Sequence, residues 1–257
     1  MQILEKFGLP NNLYTRLIKQ VMTENLANRV VFSETPLLMK RLLSGEYQAV
    51  LVPVFELLNK DEEELFISSK YGLVLENDLS LSFLYFPPDT DEIEEIQVAG
   101  DVSSQDILLT KILLKESFEI EPKISLASKE EKPQASLLLS GDLNFAQNRF
   151  MKGMNIAEHV AELLTLPYVS YILVSKSKDV LEELHHEFTG LNDALSELVE
   201  TGGWDSGITP EVTEFLRVNV ASIVLELIDD DRKGIEQLVQ LPYFHQVVDE
   251  IPELRFV

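Results

Sequence analysis

The chain of 257 residues contains no cysteine. Disulfides and thiolate chemistry are therefore excluded, and the lack of thiols fits a reducing compartment. The first residues, MQILEKFGLPNN, do not show a basic segment followed by an apolar one, so no secretory signal is expected. We therefore predict a cytoplasmic protein.

Basic residues are scarce. There are 21 Lys and Arg against 44 Asp and Glu, which gives a formal net charge of −23. A surface this negative repels the phosphates of nucleic acids and anionic lipids, so no nucleic-acid partner is expected. No apolar run reaches the roughly 20 residues that a membrane-spanning helix needs, which predicts no membrane insertion.

The chain also lacks the motifs of several enzyme classes. HExxH, GxGxxG, GxxxxGK[ST] and GxSxG are all absent, so zinc, nucleotide and serine-hydrolase sites have no support. Two of the four histidines, His185 and His186, are adjacent and would point about 100° apart on a helix. His159 could face a cleft, but a position facing solvent is the more ordinary expectation. The sequence therefore predicts no metal site.

Hydrophobic residues make up 45% of the chain, and their spacing indicates alternating strands and helices. Residues 2–6 predict a first strand, and Gly8 to Asn12 predict a turn. Residues 29–32 and Ala49–Val52 predict two more strands around a helix. The second of these is apolar at every position, which is typical of a strand buried on both faces. This strand–helix–strand unit predicts an α/β fold.

A second group of elements follows the strand at 79–86, which ends at Pro87 and Pro88. Asp101, Ser103 and Ser104 precede a helical apolar pattern, and ASLLLSGD, residues 135–142, predicts another buried strand. A strand at YVSYILV then returns to the first group. We predict one lobe formed by residues 1–86 and 172–257, and a smaller lobe, residues 87–171, inserted into it.

Six segments in order resemble one bacterial enzyme family. They are LLSGEYQAVLVP, LSLSFLYF, GDVSSQDILLTKILLKESFEIEPKI, SLLLSGD, LTLPYVSYILV and PELRFV. Together they are similar to the chorismate dehydratase family of the futalosine route to menaquinone. The resemblance implies a two-lobed type II periplasmic-binding-protein-like fold with a ligand cleft between the lobes. It also implies no cofactor and no metal.

The resemblance implies a set of ligand-binding residues, but several differ from the family pattern. Where the family reads Ser-Ser-Arg-Thr-Ser, this chain keeps the two serines and then has Gln105, Asp106 and Ile107. Asn11 or Asn12 could only loosely replace the family asparagine near the first strand. The implied ligand-binding set is Asn11, Asn12, Ser82, Ser103, Ser104 and Gln105.

Each of these residues also has a purely structural interpretation. Ser103 could cap a helix, with Asp106 completing a capping box. Ser82 could be an ordinary strand residue, and a Pro-Asn-Asn turn needs no ligand. The loss of the arginine and two hydroxyls removes donors for a carboxylate, and Asp106 adds negative charge where the ligand would be negative.

Two functions follow from the resemblance and its departures. The first is a divergent chorismate dehydratase-like lyase of menaquinone biosynthesis, which binds a small carboxylate such as chorismate in the cleft. The reaction would be loss of water driven by aromatisation, and no catalytic base is assigned. The alternative is a non-catalytic small-molecule-binding protein that kept the fold and lost the polar residues of the active site. The sequence does not predict an oligomeric state.

Overall fold

A computed structural model describes residues 4–58, 64–87, 93–127, 135–146, 152–202, 204 and 209–257. In chain order the strands are β1 (Phe7–Pro10), β2 (Val30–Ser33), β3 (Ala49–Val52), β4 (Phe66–Leu75), β5 (Ser82–Tyr85), β6 (Glu95–Gly100), β7 (Lys123–Leu126), β8 (Ser136–Ser140), β9 (Met154–Asn155), β10 (Val169–Ser175) and β11 (Ile223–Glu226). The helices are α1 (Leu13–Val21), α2 (Glu24–Arg29), α3 (Thr35–Leu43), α4 (Ser104–Phe118), α5 (Leu143–Ala146), α6 (Ile156–Leu164), α7 (Lys178–Phe188), α8 (Leu191–Thr201), α9 (Pro210–Asn219), α10 (Asp229–Leu238) and α11 (Leu241–Phe244). Two short 3-10 helices cover Val54–Leu58 and Val220–Ser222.

The larger sheet has six strands in the order β11-β4-β10-β3-β1-β2. Strand β1 lies between β2 and β3 and is parallel to both, whereas β10 is antiparallel to β3 and β4. In β3 the alternate side chains Val50 and Val52 pack in one core cluster, and Leu51 packs in the other. The strand is therefore buried on both faces, as its continuous apolar sequence predicts.

The smaller sheet has five strands in the order β7-β6-β8-β5-β9. Strand β6 is parallel to β7 and β8, and β5 runs antiparallel to β8 and β9. Strand β5 therefore joins the smaller sheet, and β10, which begins at Val169, joins the larger one. The lobe boundaries after residues 86 and 171 stay a prediction.

The prediction for the first strand is wrong. Residues 4–6 of the segment 2–6 belong to no strand, and residues 2–3 lie outside the described residues. Strand β1 instead covers FGLP, of which residues 8–10 were expected to form part of a turn. Phe7 and Leu9 are fully buried, so tertiary packing outweighs the turn preference of Gly and Pro. Gly8 is needed there because a Cβ atom would lie 2.6 Å from the ring of Tyr47.

Across the described ranges, no helix has both the length and the apolar character required to cross a membrane.

Candidate functional site

The first turn of α4 is built by a local capping box. Ser103 is the N-cap residue, and its hydroxyl accepts from the backbone N–H of Asp106 at 3.1 Å. The carboxylate of Asp106 in turn accepts from the N–H of Ser103 at 2.7 Å and from its hydroxyl at 2.6 Å. The structural role expected from the spacing Ser-x-x-Asp is therefore present.

The same carboxylate also accepts hydrogen bonds from hydroxyl groups of the smaller sheet. Ser82 on β5 donates to Oδ1 of Asp106 at 2.5 Å, and Ser140 on β8 lies 3.4 Å from Oδ2. Ser82 and Ser140 are directly paired across the two antiparallel strands, with their hydroxyls 2.9 Å apart. Asp106 is only 8% exposed, so this carboxyl group is surrounded by donors from three separate segments.

Burial raises the pKa of Asp106 above its ordinary value because removal from water disfavours the charged form. Hydrogen bonds from Ser103 and Ser82 oppose that rise, and the nearby charge of Asp101 adds to it. The result is a buried carboxyl group that takes up a proton more readily than an exposed aspartate.

Gln105 connects the two sheets. Its Oε1 accepts from the backbone N–H of Phe55, just after β3, at 3.0 Å. Its Nε2 donates to the hydroxyl of Tyr168 at 2.7 Å and lies 3.4 Å from the carbonyl oxygen of Ser170. All polar atoms of this 2% exposed side chain are therefore used by the protein itself.

Two further carboxylates follow strands of the smaller sheet and accept hydrogen bonds at the starts of helices beside the larger sheet. Asp101 accepts from the N–H of Thr35 at 3.1 Å and from its hydroxyl at 2.5 Å, at the beginning of α3. Asp142 accepts from the N–H of Leu13 at 2.8 Å, at the beginning of α1. Arg16 adds an ion pair with Asp142 at 2.6 Å.

Asn12 belongs to the same region. It caps α1 by accepting from the N–H of Thr15 at 3.1 Å, and its Nδ2 lies 3.5 Å from the hydroxyl of Tyr171. Burial and the charge of Asp106 raise the pKa of Tyr171 well above its ordinary value, whereas a hydrogen bond with Thr35 opposes the rise. Tyr171 therefore stays a neutral phenol.

We use the name polar cluster for the interacting residues between the two sheets: Asn12, Thr35, Ser82, Asp101, Ser103, Gln105, Asp106, Ser140, Asp142, Tyr168 and Tyr171. Four of the six residues implied by the resemblance lie in it, namely Asn12, Ser82, Ser103 and Gln105. Asn11 and Ser104 are instead exposed, and the side chain of Asn11 accepts from Arg16 at 3.2 Å. The ligand-binding role of all six stays a prediction.

Sequence reasoning missed the roles of Asp101 and Asp142. Each follows a glycine with a positive φ angle, 94° at Gly100 and 71° at Gly141. The two Gly-Asp pairs end β6 and β8, which are parallel neighbours. A repeated Gly-Asp at the ends of adjacent strands is a signal that could have been read from the sequence.

The histidines do not contribute to the polar cluster. Nδ1 of His159 lies 3.0 Å from the carboxylate of Glu162 on the same helix. His185 is buried against the hydroxyl of Ser68 at 2.8 Å, and burial lowers its pKa to about 4. Within the residues that the structure describes, no three His, Asp or Glu side chains are placed to hold a metal ion.

An open cavity lies to one side of the polar cluster. Its volume is about 570 Å³, and it lies between α9 and the beginning of α6. Phe83, Met154 and Phe215 supply apolar surface, and its rim includes Glu158 and Glu214. The members of the polar cluster do not line this cavity, so it is separate from the residues implied by the resemblance.

The comparisons with known proteins support the fold alone. No family model matches this chain, and no curated protein matches it either. Protein AF1704 from Archaeoglobus fulgidus superimposes with a TM-score of 0.64 at 12% identity, over 95% of this chain and 98% of that one. The Candida albicans CA3427 product has a TM-score of 0.58 at 10% identity, over 97% and 92%. YhfZ from Shigella flexneri has a TM-score of 0.53 at 10% identity, over 80% and 94%.

CA3427 is described as having the generic periplasmic binding protein fold. The present chain, with its two mixed sheets joined by crossing segments, has this fold as well. The predicted fold class, α/β with two lobes of the periplasmic-binding-protein type, is therefore confirmed.

Proposed function

We propose that this chain is a non-catalytic protein that binds a small polar molecule between its two lobes. The fold supports this proposal because folds of this kind place ligands where strand ends and helix starts converge. The observation that argues against the family reaction is the position of Asp106. Its carboxylate accepts from Ser103 and Ser82, which the resemblance assigns to the substrate.

The charge distribution also argues against the family reaction. Asp101, Asp106 and Asp142 all belong to the polar cluster. Among the described residues, the cationic side chain of Arg16 contacts this cluster through its ion pair with Asp142. A dianion such as chorismate would meet this negative charge with few donors left, because the hydroxyls of Thr35, Ser82 and Ser103 already donate to carboxylates of the chain. The site therefore favours a ligand that is uncharged or cationic.

The test is to mix the purified protein with chorismate and to follow the ultraviolet absorbance of the enolpyruvyl-benzoate product. Thermal unfolding with and without chorismate is measured in parallel. We expect neither turnover nor a thermal shift. The double variant Gln105→Arg/Asp106→Thr restores the family residues, and it should gain a thermal shift with chorismate if the overall site geometry is retained. Turnover by the unmodified chain would refute the proposal.

A second candidate is a divergent lyase of menaquinone biosynthesis, and one observation favours it. Asp106 is a buried carboxyl group with a raised pKa, which is a common property of a general base. Under this hypothesis Asp106→Asn abolishes turnover of chorismate, whereas Asp193→Asn, at an exposed position outside the polar cluster, leaves it unchanged. A cytoplasmic location would suit both candidates and stays a prediction.

A further inference from the structure

We propose that Asp101 and Asp142 act as latches that hold the two lobes of the protein together. Both carboxylates start on the smaller sheet, and both accept from the first backbone N–H of a helix beside the larger sheet. The two lobes are thereby joined directly by side chains of the protein itself. This inference concerns the ligand-free state and does not depend on the proposed function.

The start of α3 shows that Asp101 performs a capping role. The N-cap residue of this helix, Glu34, makes no side-chain hydrogen bond to the helix. Its first-turn donors therefore need another partner, since the first N–H groups of a helix have none within it. Asp101 supplies that partner with two contacts to the N–H of Thr35, at 3.1 and 3.3 Å, and one to its hydroxyl at 2.5 Å.

The start of α1 has a related arrangement. Asn12 already caps the N–H of Thr15. Asp142 accepts from the N–H of Leu13 at 2.8 Å, and the ion pair with Arg16 on the same helix fixes its second oxygen at 2.6 Å. A negative charge at this end of a helix is also favoured by the helix dipole.

The topology explains why two contacts form together. The aspartates follow β6 and β8, which are parallel neighbours in the smaller sheet. Helices α1 and α3 follow β1 and β2, which are parallel neighbours in the larger sheet. Two adjacent strand ends on one side thus face two adjacent helix starts on the other.

The glycine before Asp101 is required by this geometry. At Gly100 φ is 94°, and an added Cβ atom would lie 2.0 Å from the carbonyl oxygen of Ser140. A side chain at this position would push β6 away from β8, so only glycine allows the chain to turn there. Asp101 and Asp142 therefore follow two strands that are hydrogen-bonded to each other, and this pairing sets the distance between the two aspartates. A set distance suits a pair of contacts that holds two lobes together.

The absence of cysteine makes the closure directly measurable. Leu126 on β7 is 83% exposed, and Glu182 on α7 is exposed as well. The variant Leu126→Cys/Glu182→Cys is labelled with a pair of spin labels, and the distance distribution is measured by pulsed electron resonance without added ligand. We expect a single narrow distribution in this background.

The perturbation is Asp101→Ala/Asp142→Ala in the same labelled background. We expect the distribution to broaden and its mean to move by several ångströms toward longer distances, while circular dichroism stays unchanged. Asp193→Ala/Asp249→Ala removes two exposed aspartates and the same charge, and it should leave the distribution as it was.

An unchanged distribution in the folded Asp101→Ala/Asp142→Ala variant would overturn the proposal, as would an equal change in the Asp193→Ala/Asp249→Ala control. If the first variant does not fold, Asp101→Ala and Asp142→Ala are measured singly, because each removes one of the two contacts. Each is expected to broaden the distribution by less than the double change, and an unchanged distribution in both contradicts the proposal.

Discussion

Substitution of Asp106 by Asn tests whether this carboxyl group organises the interior between the lobes. The change keeps the size of the side chain but removes its charge and one of two acceptor oxygens. The carboxylate accepts from the N–H and hydroxyl of Ser103 and from the hydroxyl of Ser82, at 2.5–2.7 Å. Hydrogen bonds to charged groups contribute roughly 1.5–3 kcal/mol each.

The expected loss of stability is smaller than the sum of these bonds. Asn retains one acceptor, and serine hydroxyls can rotate to accept from its NH₂ group. The substitution also removes the cost of a buried charge, which for ion pairs can cancel much of the gain. We therefore expect the free energy of unfolding to fall by about 2 kcal/mol, or a Tm lower by about 4–8 °C for a chain of this size.

The pH dependence provides the sharper part of this prediction. Because burial raises the pKa of Asp106, the folded protein binds this proton more tightly than the unfolded chain does. The contribution is fully present below the unfolded pKa of 3.8, and it is lost as the pH rises through the folded pKa. Asp106→Asn lacks this pH-dependent contribution. The difference in free energy of unfolding between the variant and the unmodified protein should therefore narrow as the pH rises.

Urea unfolding followed by circular dichroism from pH 4 to pH 8 measures both quantities. Asp193→Asn, at an exposed position, is the matched control and should change stability by less than about 0.5 kcal/mol. A stability difference that widens with increasing pH would show that the hydrogen bonds outweigh burial and lower the pKa. That result would refute the electrostatic reasoning for this residue.

Two other predictions concern buried polar groups. Gln105→Ala leaves the N–H of Phe55 without its partner and should cost about 1–3 kcal/mol in urea unfolding, whereas the neighbouring exposed Ser104→Ala should cost less than about 0.5 kcal/mol. Equal effects would show that Gln105 does not connect the sheets. The pKa of His185 is lowered from 6.5 to about 4, so stability present above pH 6.5 is lost as the pH falls toward 4. In His185→Gln the free energy of unfolding that is lost between pH 6.5 and pH 4 should be smaller by about 1–2 kcal/mol. An unaltered pH dependence would contradict burial of this ring against Ser68.

Features that depend on neighbours in the chain were predicted well from the sequence. The burial of β3 on both faces follows from its uninterrupted apolar residues, and the capping box of α4 follows from the three-residue spacing of Ser103 and Asp106. The order of strands and helices predicted the fold class. These features were accessible because periodicity and capping involve residues that are at most a few positions apart.

Other predictions failed or stayed incomplete where distant segments meet. Residues 8–10 were expected to form part of a turn, but pairing with β2 and β3 makes them a strand. Gln105 occupies the position of a ligand-binding arginine in the family that the chain resembles. In the structure its side chain is fully engaged with Phe55 and Tyr168. Neither result could be obtained from local pattern, because the partners are more than 20 positions away.

The sequence by itself determined the α/β class and the capping box that Ser103 and Asp106 form at the start of α4. Only the tertiary structure decided which donors receive the carboxylates of Asp101 and Asp142. A helix start offers its free N–H groups to any acceptor, and the choice depends on which strand end the packing of the two sheets brings within hydrogen-bonding distance.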